Sequence, residues 1–344
     1  MIALYLGLLI FSFLITSILV VPFINLLYKL KFYRRVQQTR DMEGQRTRIF
    51  DKFNNPKAGT PVGGGLLVIG VTFLLYLILF PLLSFLGTYI RSAYRMTDEL
   101  NILFFTFVSF GLLGLYDDIK KFFGFEKSGF FGLRLRHKFA IQWILAFIIS
   151  SLMYFNLKID IINIPSLGVL KLGPIFIPLA ALAIVAFANA FNITDGLDGL
   201  SSGVLLICLF AFWLLSHSVL DTPLSVFIAL WIGSLIAFLY FNVYPARIIL
   251  GDVGALSFGA TLAVVGLLIG KVVALLVIGG IFVVEVTSSL IQILSKKFLK
   301  RKAFAVAPFH LWLQNQGWEE PKIVMRAWLA AIMLAIIGLW LAYI

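Results

Sequence analysis

The sequence predicts an all-α, polytopic membrane protein of about ten transmembrane helices, and three observations carry that prediction. The chain is 61% hydrophobic and 13% charged, whereas a soluble domain has about a quarter of its residues charged. Apolar runs of about 20 residues, the length that crosses a bilayer, recur from end to end. Basic residues concentrate in alternate connections: nine between 29 and 62, five between 118 and 137, and a third group from Lys296 to Arg326. The connections that alternate with these, on the opposite side, hold only Arg91, Arg95, Lys158, Lys171 and Lys271. Basic loops stay in the cytoplasm, so both termini are expected outside, with any site built from the basic connections on the cytoplasmic face.

The spans are expected at 2–28, 63–88, 100–117, 138–155, 175–192, 200–217, 224–242, 254–270, 272–295 and 324–343, in a single integral membrane domain over 1–344. The first lacks a basic start and a small-residue cleavage site, so it reads as a retained span rather than a signal peptide. The second follows Lys57 and opens on Gly59-Thr60-Pro61-Val62-Gly63-Gly64-Gly65. That stretch lacks the Gly-Lys-Ser/Thr ending of a P-loop. A glycine-rich helix start still leaves N–H groups for an anion, and glycine also lets membrane helices pack closely. The third span ends in Asp117-Asp118, ahead of Lys120-Lys121. Between the fourth and fifth, the isoleucines of 159–164, a Pro-Ser-Leu-Gly turn and Val169 to Leu172 read as a small hairpin. Cys208 lies within an apolar run and reads as a buried structural thiol. The turn at Gly270-Lys271 separates the eighth and ninth spans, and the parity of the whole chain rests on it. Net charge is +12. Positive-inside bias and attraction to anionic membrane lipids account for it. A basic rim also suits a phosphate-bearing substrate, and with no basic soluble module nucleic acid is not an expected partner.

Charge at the edge of a bilayer is costly and concentrates at functional sites. Three acidic stretches sit at span ends on the expected cytoplasmic side. In Asn189-Ala-Phe-Asn192-Ile-Thr-Asp195-Gly196-Leu-Asp198-Gly199, the two aspartates are three apart and would share a helical face. The glycines favour a tight turn, and a helix cap alone needs only one of these four polar residues. Asp117 and Asp118 are adjacent and point about 100 degrees apart on a helix, so one can face a ligand while the other pairs with Lys120 or Lys121. Gly251-Asp252-Val-Gly254 either caps a helix or offers oxygens to a hard cation such as magnesium. No Cys or His spacing for zinc occurs. His310, in Ala307-Pro308-Phe309-His310, lies in the last basic loop, where it could contact phosphate or move a proton. Glu285, inside the ninth span, reads as a charge paired within the bundle near Thr287 or Ser288.

Taken in order, Lys57 to Gly64, Asp117-Asp118, Lys138-Phe-Ala-Ile-Gln142, Asn189 to Gly199, Asn242 to Ser257 and Pro308 to Trp328 resemble the polyprenyl-phosphate N-acetylhexosamine-1-phosphate transferases. The tail Gly317 to Trp328 is similar to the muramoyl branch of that family rather than the N-acetylglucosamine branch. The resemblance implies a bacterial inner-membrane enzyme of peptidoglycan synthesis, a magnesium-dependent phosphoglycosyl transferase. In it undecaprenyl phosphate attacks the β-phosphate of UDP-MurNAc-pentapeptide, and UMP leaves. Such a transfer needs positioning and charge neutralisation more than covalent chemistry. The resemblance makes Asp252 the magnesium ligand. Asp117, as base or through a cation, handles the lipid phosphate, with Asp118 assisting and His310 among the catalytic residues. Lys57 and Lys138 balance phosphate charge. Asn189, Asn192, Asp195, Gly196, Asp198 and Asn242 line the donor site, and a homodimer is implied. Two departures stand out: His310-Leu311-Trp312 occupies the place of a histidine triplet, and Ile248-Ile249-Leu250 precedes Gly-Asp where the family tends to carry an aromatic. They leave a UDP-GlcNAc donor as the alternative. An ion-coupled transporter would put its charges near mid-span. An intramembrane aspartyl protease would need only two aspartates sharing a proton and would leave Asn192, Asp195, Asp198 and Lys57 without a task.

Overall fold

In a computed structural model, residues 1–34, 51–53, 55–85, 87–123 and 135–344 are described. Parts of the two longest basic loops, 35–50 and 124–134, lie outside the described residues. The order is α1 (Ile2–Lys29), α2 (Gly64–Phe85), α3 (Met96–Phe123), α4 (Leu135–Phe155), β1 (Ile161–Ile164), β2 (Gly168–Lys171), α5 (Phe176–Thr194), α6 (Leu200–Ser218), α7 (Thr222–Asn242), α8 (Gly251–Leu268), α9 (Val272–Ile278), α10 (Gly280–Leu299), α11 (Phe309–Asn315) and α12 (Glu320–Tyr343). Among the described residues, nine helices are long and apolar enough to cross a membrane. The expected ninth span is instead the pair α9 and α10, bent by 79° at Gly279. The turn at Gly270-Lys271 is present, with Gly270 at φ 72°. The hairpin is antiparallel, with Ile161 opposite Lys171 and Ile164 opposite Gly168.

The bundle is built around α7 and α8. A helix that is apolar on every side belongs inside, and 94% of the apolar window of α8 is buried, against 28% for α1, α4 and α12. α8 packs mainly on α3, α5 and α2, while α7 packs on α1, α6 and α2. Small residues permit close approach, as is usual between membrane helices. A Cβ on Gly65 of α2 would strike the backbone of Gly254 in α8, and one on Gly114 of α3 would strike the backbone at Asp252. Buried hydroxyls link α1 to α7: Ser12 Oγ donates to Leu230 O (2.7 Å), and Thr16 Oγ1 donates to Ser234 Oγ (3.0 Å).

The glycine-rich start of α2 does not offer its N–H groups to an anion. Gly63 and Gly64 donate to Ile249 O (3.1 and 3.0 Å), and Gly65 donates to Leu250 O (2.9 Å). Val62 also bridges Ile249 in parallel. This segment is a backbone tie that fixes the residues just ahead of α8, so close packing is what its glycines serve. Ile248-Ile249-Leu250 is the other half of that tie.

Candidate active site

Several helices end in polar residues at one end of the bundle. The C-terminal turns of α3 continue past Asp117 and Asp118 to Lys120 and Lys121, which suit the negative end of the helix dipole. Lys121 lies one turn beyond both aspartates. α4 begins nearby and presents Lys138, and α8 begins at Gly251, held at φ 80°, with Asp252 in its first turn. The Gly114 contact brings these pieces together. Lys138 Nζ donates to Asp117 Oδ2 (2.8 Å) and to Asp252 Oδ2. Lys121 Nζ lies 2.8 Å from Asp252 Oδ2, 3.3 Å from Asp117 Oδ2 and 3.9 Å from Asp118 Oδ1. Two carboxylate oxygens from chain positions far apart thus converge on the same two ammonium groups.

Asp118 points elsewhere, as the angular offset of neighbouring helix residues requires. Its Oδ2 accepts from Val253 N (3.0 Å), so it satisfies an N-terminal N–H of α8 as an N-cap side chain would, but from another helix.

The second part of the site is the turn between α5 and α6. α5 stops at Thr194, whose Oγ1 donates back to Ala190 O (2.7 Å), and Gly199 at φ 77° starts α6. Asp195 Oδ1 accepts from Ser201 Oγ (2.5 Å). Burial pushes the Asp195 carboxyl up to about 7, and Asp252 adds to this, while the Ser201 hydrogen bond, Lys57 and Arg34 pull the other way. The influence of Asp252 on Asp195 marks the two networks as neighbours. Lys57 Nζ pairs with Asp198 Oδ1 (2.8 Å) and Glu320 Oε1 (2.6 Å) and donates to Gly196 O (3.2 Å). Asp198 Oδ2 accepts from Ala246 N (3.0 Å).

His310 is not a free loop residue. It opens the short helix α11 and is buried, with Nδ1 3.0 Å from Glu285 Oε2 and its backbone N–H donating to Glu285 Oε1 (3.2 Å). Its ring lies against Gly196, where a Cβ would collide with Nε2. Glu285 is therefore paired with His310 across 25 positions rather than with the hydroxyls of Thr287 or Ser288; Ser288 Oγ donates only to its carbonyl (2.8 Å). Asn242 holds the approach to α8 by donating to Ile248 O (3.0 Å) and accepting from Ser202 Oγ. Asn189 donates to Gln142 Oε1 (2.6 Å), one turn beyond Lys138 on α4. Asn192 is half-buried, with no side-chain hydrogen bond among the described residues.

The structure thus brings Asp117, Asp118, Lys138 and Asp252 into one network, and Lys57, Gly196, Asp198 and His310 into another beside Asp195. Two contributors were missed from the sequence. Lys121 was read only as a local partner of its own aspartates. Glu320 was overlooked, although a carboxylate opening the last span on the same side as the other motifs was a usable signal. Among the described residues no group of three or more His, Cys, Asp or Glu is arranged to hold a metal, so a divalent ion would have to rest on fewer protein ligands and on substrate.

The family model of glycosyl transferase family 4 matches residues 100–270, which hold Asp117, Asp118, Lys138, the 195–199 turn and Asp252. Curated relatives narrow this. The chain is 32% identical over 317 residues to a phospho-N-acetylmuramoyl-pentapeptide-transferase of Clostridium botulinum, covering 92% of this chain and 90% of that protein. It is 34% identical over 311 residues to that of Caldanaerobacter subterraneus, covering 90% of each. With that of Rickettsia canadensis it is 33% identical over 332 residues, covering 90% and 86%. The chain belongs to the phospho-N-acetylmuramoyl-pentapeptide-transferase family and is a multi-pass bacterial membrane protein.

Proposed function

We propose that this protein transfers phospho-MurNAc-pentapeptide from UDP-MurNAc-pentapeptide to undecaprenyl phosphate, giving lipid I and UMP, at the cytoplasmic face of the plasma membrane. The observation that carries this reading is the convergence of Asp117 and Asp252 on Lys138 and Lys121. Transfer of a phosphosugar between two phosphates needs charge placed accurately around the reacting oxygens. The positive-inside distribution of lysine and arginine supports the cytoplasmic side.

Each residue then has a task. Lys121 and Lys138 can exchange their carboxylate partners for phosphate oxygens when substrates arrive. Asp117 handles the lipid phosphate. Asp118 holds the first turn of α8, so that Asp252 keeps its place. The turn carrying Asn192, Asp195, Gly196 and Asp198 holds the nucleotide end of the donor, with Lys57, Asn189, Asn242 and His310 around it. The two carboxylate oxygens that share an ammonium are a donor pair of the kind magnesium takes together with substrate phosphates. Asp252 and Asp117 would hold the ion, and when bound it would neutralise charge on the pyrophosphate. A homodimer belongs to the same proposal; light scattering of the detergent-solubilised protein that gave a monomer would remove it.

The test is to incubate purified, folded protein with magnesium, undecaprenyl phosphate and UDP-MurNAc-pentapeptide and to measure UMP. Steady release that stops with a chelator is expected. No release in folded protein refutes the reading, and release from UDP-GlcNAc alone would reassign the donor.

A further inference from the structure

We propose that Glu320 is a positioning residue for the donor site, acting through Lys57 and the backbone of Asp198. This rests on the reading above, which places the donor at the 195–199 turn.

One carboxylate oxygen of Glu320 ties together three segments distant in sequence. Oε1 accepts from Lys57 Nζ and from Asp198 N, both at 2.6 Å. Lys57 comes from the segment ahead of α2, Asp198 from the turn between α5 and α6, and Glu320 from the first turn of α12. The Lys57 and Glu320 side chains retain 12% and 10% of their exposure. Charge-assisted bonds in so closed a setting are short and geometrically demanding.

An ammonium has three hydrogens, and Lys57 faces three acceptors: Asp198 Oδ1, Glu320 Oε1 and Gly196 O. Two of the three belong to the turn itself, so Lys57 grips the turn and Glu320 holds Lys57. Glu320 also receives the Asp198 N–H directly, fixing the backbone where the turn passes into α6. Arg34 lies in the combined field of Asp195, Asp198 and Glu320 and offsets the excess negative charge. With Glu320 truncated, the Asp198 N–H loses its acceptor and Lys57 is left with Asp198 Oδ1 and Gly196 O, both on the turn it should be holding in place. The turn would then sample arrangements in which Gly196 and Asp198 no longer present one surface to a ligand. The lipid phosphate, expected at the Asp117 end, should not sense the change.

The test uses the full-length protein in detergent with wild type, Glu320→Ala, Glu320→Gln, Lys57→Ala and the Lys57→Ala/Glu320→Ala pair. Glu320→Ala should raise the donor KM roughly 10- to 100-fold, the range for losing a hydrogen bond to a charged group, while the KM for undecaprenyl phosphate stays put. Glu320→Gln, whose amide oxygen can still accept, should recover part of the loss. The double variant should lose less than the sum of the two single losses, because residues that act as a unit are not additive. An unchanged donor KM in Glu320→Ala, equal rises for both substrates, or additive losses would each overturn the proposal. A wild type that released no UMP would instead sink the functional reading and the donor role with it. A double-mutant cycle on unfolding stability would then still decide the clamp itself: non-additivity supports it and additivity removes it.

Discussion

The contact between Gly196 and His310 gives a sharp test of the site's packing. Gly196 is not one of the positive-φ glycines, so alanine there meets no backbone strain and the cost is steric. An added Cβ would collide with His310 Nε2 and lie 3.0 Å from its Cε1. A side-chain tip can usually move aside cheaply, but this ring is pinned at Nδ1 by Glu285 (3.0 Å). Overpacking a filled site costs about 1–3 kcal/mol. Swinging the ring away would break a hydrogen bond to a charged group, worth about 1.5–3 kcal/mol. Both routes lead to a destabilisation of about 1–3 kcal/mol for Gly196→Ala. The assay is denaturant unfolding in detergent of wild type, Gly196→Ala, His310→Ala and the double variant. With the ring removed, alanine at 196 should cost only a few tenths of a kcal/mol, the usual scale of additivity error. An equal cost of Gly196→Ala with and without His310 would refute the reasoning.

Other outcomes follow from the same geometry. Asp252→Ala should abolish UMP release while the helical circular dichroism is retained; near-normal turnover would remove Asp252 from the reaction. Lys138→Met takes away one of the two ammonium groups that Asp117 and Asp252 share. Unpairing buried charge costs about 3–5 kcal/mol, so a marked loss of stability is expected, and a melting temperature equal to wild type would contradict it. Asp195 is held at about 7 against an ordinary value of 3.8. Its folded form therefore keeps a proton that the unfolded chain gives up. Its contribution to stability should be greatest on the acid side, fall as pH rises from about 4 through about 7, and level off above. Asp195→Asn should flatten that slope relative to wild type, and an identical pH dependence of melting would show that burial of Asp195 is not its source.

The spans and hairpin were legible because they rest on local signals: apolar length, turn residues and alternation. The same logic missed the break at Gly279, since the α9–α10 stretch stays apolar through the bend and only packing of α9 on α12 reveals it. α3 runs on to Phe123 rather than stopping near 117, because Lys121 and Lys138 neutralise the carboxylates at the expected boundary. The motif residues were visible as chemistry, yet their partners were not. Glu320 and Lys57 are 263 positions apart, and nothing in either neighbourhood encodes the other. The glycines of 59–65 were ambiguous for the opposite reason: anion binding and close packing use the same residue, and only the carbonyls of Ile249 and Leu250 decide between them.

The glycine contacts around α8 carry a mechanical consequence. α2 meets it at Gly65 and Gly254, α3 at Gly114, and α5 at Gly259, where a Cβ would strike the carbonyl of Phe187. These contacts come from three different helices, two of them meeting α8 in its first turn and the third about two turns along. Sliding or turning α8 by even one residue would drive side chains into neighbouring backbones at all three. The position of Asp252 along the bundle axis is thus locked by residues that carry no functional group. Along this chain, the alignment of the reacting groups is inherited from the absence of side chains, at Gly114 against Asp252 itself and at Gly254 and Gly259 within about two turns of it.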